Sequence, residues 1–148
     1  MPFPERSVVV LHDKGAKRDR DRFSTSHEVG HLALHEPGTS LAPKEVERQA
    51  DRFASAFLMP ADQIRAELPS TLNWVRFIEL KQIWQVSIAS LVRRARDLQV
   101  LPEEQYQQGV RTISTRGWRI DEPGDLGAPE SPRLLAEAMR AAGVSTDQ

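Results

Sequence analysis

The stretch FSTSHEVGHLALH, residues 23–35, has two histidines four positions apart, with a glutamate directly after the first. On a helix, His27 and His31 would share one face with Cβ atoms roughly 6 Å apart, so both rings could reach one ion at about 2.1 Å. Glu28 would lie beside them, where its carboxylate could take a proton from water. This is the H-E-x-x-H pattern of zinc peptidases, in which the metal lowers the pKa of water to about 7. The alternative is a buried helix without metal.

Two further residues of this stretch bear on the choice. Gly30 would fall on the histidine face, where a mid-helix glycine costs about 1 kcal/mol relative to alanine. We expect another helix or the metal site to come very close there, and tight packing without metal is the alternative. His35 lies about 80° from His27 around the helix, so we predict a helix-end residue rather than a third ligand.

A catalytic zinc site needs a third protein ligand, and KEVERQADRFASAFL supplies a candidate. A helical wheel places six apolar residues on one face: Val46, Ala50, Phe53, Ala54, Phe57 and Leu58. Glu47 falls within that face, which no lysine or arginine shares, and a buried carboxylate is usually paired or bound to metal. Asp51, one turn later, could accept a hydrogen bond from a ligating histidine. The alternatives are a helix-start acid for Glu47 and a solvated surface acid for Asp51.

These residues need elements to position them, and the pattern predicts an α-rich chain with a little strand. SVVVL, residues 7–11, reads as a buried strand, and VRTISTRGWRI, residues 110–120, is the other extended-looking stretch. We expect the charged segment KGAKRDRDR to connect the strand to a helix starting near Phe23. Helices are also predicted over 43–59, 61–67, 71–84, 87–98 and 102–110, with a short amphipathic helix over 133–142.

Composition limits the possible classes of protein. The chain has 148 residues, 39% of them hydrophobic, which is the size of one domain. Its net charge of −1 gives no overall attraction to nucleic acid or to an anionic membrane, and without cysteine any metal must be held by His, Asp or Glu. No apolar run approaches the roughly 20 residues that span a bilayer. We therefore expect a soluble cytoplasmic protein that does not bind membranes.

Four blocks of the sequence, taken in order, carry a family resemblance: RFSTSHEVGHLALH, VERQADRFASAFLMP, LKQIWQVSIASLVRRARDL and GWRIDEP. From about Val8 to Pro123 the chain resembles the ImmA/IrrE family of metallo-endopeptidases. The resemblance implies one zinc ion per chain, held by His27, His31 and Glu47, with Glu28 as the catalytic residue. It also implies a zincin-like fold of the gluzincin type. Members cleave repressors of mobile elements or stress responses, and some relatives belong to toxin–antitoxin pairs, so the expected partner is a helix-turn-helix transcriptional regulator.

Many family members carry additional strands or a helix-turn-helix domain before the catalytic helix. The resemblance therefore implies a small, incomplete β-sheet here, which an oligomer could complete. In zinc peptidases of this design the substrate commonly adds a strand to the sheet edge above the metal. We expect that edge to be formed by Val8, Val9, Val10 and Leu11. An ordinary core strand is the alternative.

Residues 80–98 also have the outline of a helix-turn-helix, with a turn over 85–87 and three arginines on its second helix: Arg93, Arg94 and Arg96. We favour a helical hairpin that packs into the core, because the positions that would meet bases first are small or apolar. The prediction is thus a metallopeptidase domain over 1–122, followed by a Pro/Gly-rich linker and short helix over 123–148. The alternatives are a non-catalytic, metal-containing interaction module or toxin component, and a DNA-binding regulator that uses the hairpin.

Overall fold

The computed structural model describes residues 17–36, 38, 40–130, 137 and 140–141. Within them the chain forms six helices: α1 (Arg18–Leu34), α2 (Pro43–Leu58), α3 (Ala61–Ile64), α4 (Trp74–Trp84), α5 (Ile88–Asp97) and α6 (Glu103–Thr115). The mostly helical class predicted from the sequence is confirmed. None of the described residues is in a β-strand, and no described helix is long and apolar enough to cross a membrane.

The prediction of a strand over residues 110–120 is wrong. Residues up to Thr115 belong to α6, and turns follow. The β-branched residues Val110, Thr112 and Ile113 suggested extended backbone, but Gly109 and Ile113, one helical turn apart, are both buried in the contact with neighbouring helices. Packing therefore overrides local propensity here. The other predicted strand, residues 7–11, lies outside the described residues, as does most of the predicted helix over 133–142.

The first helix begins earlier than predicted. We expected the charged segment before Phe23 to be a connection, whereas α1 already begins at Arg18. Arginine is a good helix former, and Asp19 and Asp21 in the first turn favour a helix N-terminus electrostatically. The segment is also fixed by tertiary contacts, since Arg22 forms an ion pair with Glu130. The helix that carries the histidines is thus longer than its apolar pattern indicated.

The start and end of α2 and the turn between α4 and α5 were predicted correctly, whereas α4 begins at Trp74 rather than at residue 71. Pro43 occupies the first turn of α2, and Pro60 follows its end. The turn between α4 and α5 has Gln85 in a left-handed conformation, and the Ser87 side chain then accepts a hydrogen bond from the backbone N–H of Ser90 to cap α5. The hairpin over residues 80–98 is therefore present as predicted.

The apolar core lies among α3 to α6 and the segments that join them, rather than around α1. Its buried apolar side chains are Met59, Ile64, Leu68, Phe77, Leu80, Val86, Ile88, Leu91, Val92, Ala95, Leu98, Leu101 and Ile113. The pair formed by α1 and α2 has a more extensive mutual interface than any other two helices in the described part of the chain. This pair rests on the helical core and carries the candidate site.

A buried cluster of charges fixes α1 to the helical core. The Lys81 ammonium of α4 lies 3.6 Å from Asp19 Oδ2 of α1 and 3.2 Å from Glu122 Oε1, and all three side chains are nearly inaccessible to water. Glu122 Oε2 also accepts a hydrogen bond of 2.8 Å from the backbone N–H of Ile88, at the start of α5. Removing one member of such a cluster leaves an uncompensated buried charge, which typically costs 3–5 kcal/mol.

Candidate metal centre

The two histidines of the H-E-x-x-H pattern meet at one point on the side of α1 that faces α2. His27 Nε2 and His31 Nε2 are 2.9 Å apart, and both rings are largely shielded from solvent. Their four-residue spacing on a continuous helix produces this convergence directly.

Glu47 of α2 completes the cluster. Its carboxylate oxygens lie 3.2 Å from His27 Nε2 and 3.4 Å from His31 Nε2, and the three residues each offer one ligand atom within 4.8 Å of the others. Glu47 is therefore directed at the two histidines. The prediction that its carboxylate points into the apolar core is wrong, because its side chain is 64% exposed. Phe57, predicted on the same apolar face of α2, is also exposed, at 63%.

Asp51 contacts the outer nitrogen of His27, as the sequence suggested. Its Oδ1 lies 2.9 Å from His27 Nδ1, and its Oδ2 lies 3.5 Å from the Arg93 guanidinium of α5. A carboxylate in this position accepts the Nδ1 proton, which fixes the ring orientation and leaves Nε2 with a free lone pair.

His31 has a corresponding partner that the sequence reasoning missed. Its Nδ1 lies 3.2 Å from His35 Nδ1, and His35 Nε2 lies 3.2 Å from Gln49 Oε1. Gln49 in turn donates to Glu45 Oε1 at 2.9 Å, and this hydrogen bond, followed by that from Arg48, holds the pKa of Glu45 below its usual value of 4.5. All of these hydrogen bonds can form together in one set of tautomers. In that set, His31 donates from Nδ1 to His35 and keeps a lone pair on Nε2.

The signal for His35 was available in the sequence. It continues the four-residue spacing of His27 and His31, and it lies at the end of α1, as predicted, rather than among the ligand candidates. It contacts the ring of His31 instead, at a centroid distance of 5.2 Å. No sequence pattern indicated the contact between Arg93 and Asp51, because that contact depends on how α5 packs against α2.

The residues fit a metal ion. In the tautomers described above, in which each Nδ1 carries the proton, the two Nε2 lone pairs and the Glu47 carboxylate face one another at 2.9 to 3.4 Å. Three acceptors so arranged repel unless a cation lies between them. Ligands at about 2.1 Å from a tetrahedral zinc ion would be about 3.4 Å apart, close to these separations.

Gly30 allows the two helices to approach closely at this site. A Cβ atom on Gly30 would lie 3.0 Å from Phe53 Cδ1 and 3.2 Å from Ala50 Cα. The expectation that another helix comes very near this glycine is confirmed. The ligands from α1 and the ligand from α2 reach one point because the backbones are this close.

Comparison with protein families gave a match. The model of the IrrE N-terminal-like domain, a peptidase family, matches residues 2–96, which include α1 to α4 and most of α5. The chain belongs to this family. The resemblance noted in the sequence is thus confirmed, and membership indicates a metallopeptidase of the ImmA/IrrE type that uses a metal ion. Comparison with curated proteins and with solved structures gave no match.

Glu28 follows His27 on α1, and its side chain is exposed. It lies outside the group of three ligand candidates, as expected for a residue one step around the helix. Its carboxylate is therefore accessible to a substrate or to water rather than occupied as a ligand.

Proposed function

We propose that the protein is a zinc-dependent endopeptidase that cleaves a partner transcriptional regulator. The observation that carries the proposal is the convergence of His27 Nε2, His31 Nε2 and a Glu47 carboxylate oxygen, with the exposed Glu28 next along the helix. Family membership supports peptide-bond hydrolysis, and the resemblance to regulator-cleaving members supports the choice of partner.

His27, His31 and Glu47 would hold the zinc ion. Zinc in such a site polarises the scissile carbonyl and makes water acidic enough to attack at neutral pH. Glu28 would accept the proton of the attacking water and then donate it to the leaving amine. Asp51 and His35 would hold the two ligating rings in the tautomer that presents Nε2.

The decisive experiment incubates zinc-loaded protein with the helix-turn-helix regulator encoded beside it and follows cleavage by intact mass. Glu28→Gln should reduce the cleavage rate by a factor of about 10² to 10⁴, because a general base is lost, and should leave bound zinc and helix content unchanged. Glu36→Gln is the matched control, since Glu36 is an exposed acid just after the same helix. It should cleave like the wild type.

One observation favours a second function, a metal-containing interaction module. The described residues include no strand beside the metal centre onto which a peptide could be added. If wild type and Glu28→Gln both hold zinc and bind the regulator without cutting it, the interaction module replaces the peptidase.

A further inference from the structure

A groove lies between α2 and α5, next to the candidate metal centre. It encloses about 680 Å³, and Tyr106 of α6 forms part of its wall. Asp51, whose carboxylate contacts His27, forms part of its wall. Asp51 thus connects the groove to a ligand candidate of the metal centre.

The wall of this groove is strongly basic. It contains five arginines, namely Arg48, Arg52, Arg93, Arg94 and Arg96. The acidic residues in it are Asp51 and Asp97, which gives the lining a net charge of +3. Both aspartates are already engaged, Asp51 with His27 and Arg93, and Asp97 with Arg96 at 2.7 Å. We name this feature the arginine groove.

Two of the arginines have structural contacts. Arg94 Nε donates a hydrogen bond of 3.0 Å to the backbone carbonyl of Met59, and the Arg96 guanidinium stacks on Tyr106 at 4.2 Å. These contacts hold the two side chains in the wall of the groove. Their positive charges nevertheless contribute to the field inside the groove.

The other arginines keep donors available to a ligand. The side chain of Arg48 is 64% exposed and that of Arg93 is 50% exposed, although each has one acidic neighbour. Arg52 is exposed and has no ion pair with the described part of the chain. A guanidinium in this setting binds carboxylates through paired hydrogen bonds.

We propose that the arginine groove binds acidic side chains of the substrate on one side of the scissile bond. The inference rests on the proposed peptidase function and adds the substrate class. Residues of an extended peptide are about 3.3 Å apart, so a few residues beyond the metal centre would place glutamate or aspartate among the arginines. Their positive field would also speed association with an acidic segment.

Phosphates could in principle use the same donors. The observations favour a peptide, because Asp51 in the groove wall contacts the ligand candidate His27 and because the whole chain has a net charge of −1. A nucleic-acid site normally combines such a patch with overall positive charge. Binding of duplex DNA is therefore kept as an alternative outcome of the test.

The binding experiment uses the zinc-loaded Glu28→Gln full-length chain, which should hold a peptide without cutting it. The probes are a rhodamine-labelled peptide with an apolar centre and glutamates on one side, its mirror with glutamates on the other side, the matched glutamine peptide, and a labelled DNA duplex. One glutamate peptide should bind more tightly than the glutamine peptide. Arg48→Gln and Arg52→Gln should each weaken that binding about two- to fivefold.

Arg111→Gln is the control, because Arg111 is an exposed arginine of α6 outside the groove. It should bind the glutamate peptide as Glu28→Gln alone does. Equal binding of glutamate and glutamine peptides would overturn the inference. So would tighter binding of the duplex that weakens with the same arginine substitutions, since the groove would then serve nucleic acid.

A parallel cleavage assay with the wild type separates this inference from the proposed function. If the wild type cuts glutamate and glutamine peptides at the same rate, the substrate class is wrong and the peptidase stands. If the glutamate peptide binds through Arg48 and Arg52 but no peptide is cut, the groove stands as an acidic-peptide site and the peptidase fails.

Discussion

Gly30 of α1 and Phe53 of α2 are in direct contact, so close that a Cβ atom on the glycine would lie 3.0 Å from Phe53 Cδ1 and 3.1 Å from Phe53 Cβ. His27 precedes this glycine by three residues, and His31 follows it directly. Both histidines belong to the candidate metal centre together with Glu47 of α2. The contact therefore sets the distance between the ligands of the two helices.

Substituting Gly30→Ala should push α1 and α2 apart by a few tenths of an ångström. Overpacking costs typically 1–3 kcal/mol, and alanine returns about 1 kcal/mol of helix propensity, so we expect a net loss of about 1 kcal/mol in unfolding free energy. Zinc affinity should fall as well, which zinc titration measures. Gly109→Ala is the matched control, because Gly109 packs against Leu72 and Val92 away from the metal centre. Unchanged zinc affinity in Gly30→Ala would contradict this account.

Substituting Asp51→Asn should lower zinc affinity by about 10- to 100-fold. The carboxylate 2.9 Å from His27 Nδ1 fixes the ring and raises its basicity, and an amide does both less well. Competition with a chromophoric chelator measures the affinity, and circular dichroism checks the fold. Asp97→Asn removes a carboxylate from the same groove without touching a ligand, so it should bind zinc like the wild type. Equal affinity in Asp51→Asn and wild type would show that His27 needs no partner.

Substituting His35→Ala should lower zinc affinity by less than about tenfold. The residue supports His31 through a neutral nitrogen at 3.2 Å, which is a weaker partner than a carboxylate. Glu47→Gln, in contrast, removes a charged ligand candidate and should abolish stoichiometric zinc binding. Both variants can be compared in one titration series. A loss in His35→Ala as large as that in Glu47→Gln would make His35 a ligand itself.

The buried cluster around Lys81 predicts a pH-dependent stability. Burial raises the pKa of Glu122 to about 7 from its usual 4.5, the Asp19 carboxyl adds to the rise, and Lys81 opposes it. Between pH 4.5 and 7 the folded chain keeps a proton that the unfolded chain releases, so this contribution to stability is lost as pH rises. The shift corresponds to about 3 kcal/mol. Urea unfolding at a series of pH values measures the slope.

Glu122→Gln should remove this slope, because glutamine carries no titrating proton. Asp121→Asn is the matched control at the adjacent position. The hydrogen bond from Lys17 holds the pKa of Asp121 below its usual 3.8, so this variant should leave the slope between pH 5 and 7 unchanged. An equal slope in Glu122→Gln and wild type would assign the pH dependence to another group.

The sequence predicted the metal centre better than the fold around it. His27 and His31 follow from helical spacing, and Glu47 and Asp51 follow from a second helix whose start and end are marked by Pro43 and Pro60. Local geometry suffices for these residues, because each helix fixes the direction of its own side chains. The strand predicted over residues 110–120 does not form. The preference of β-branched residues for strands is weaker than the stabilisation from packing α6 on its neighbouring helices.

The sequence alone determined the set of candidate metal ligands. They are two imidazoles and one carboxylate on two helices, with Glu28 beside them. Only the tertiary structure decided that Glu47 stays exposed, that His35 supports His31, and that Arg93 reaches Asp51. The physical reason is distance along the chain. Spacing within one helix is fixed by its hydrogen bonds, whereas the exposure of a side chain and its partners on other helices depend on how those helices pack.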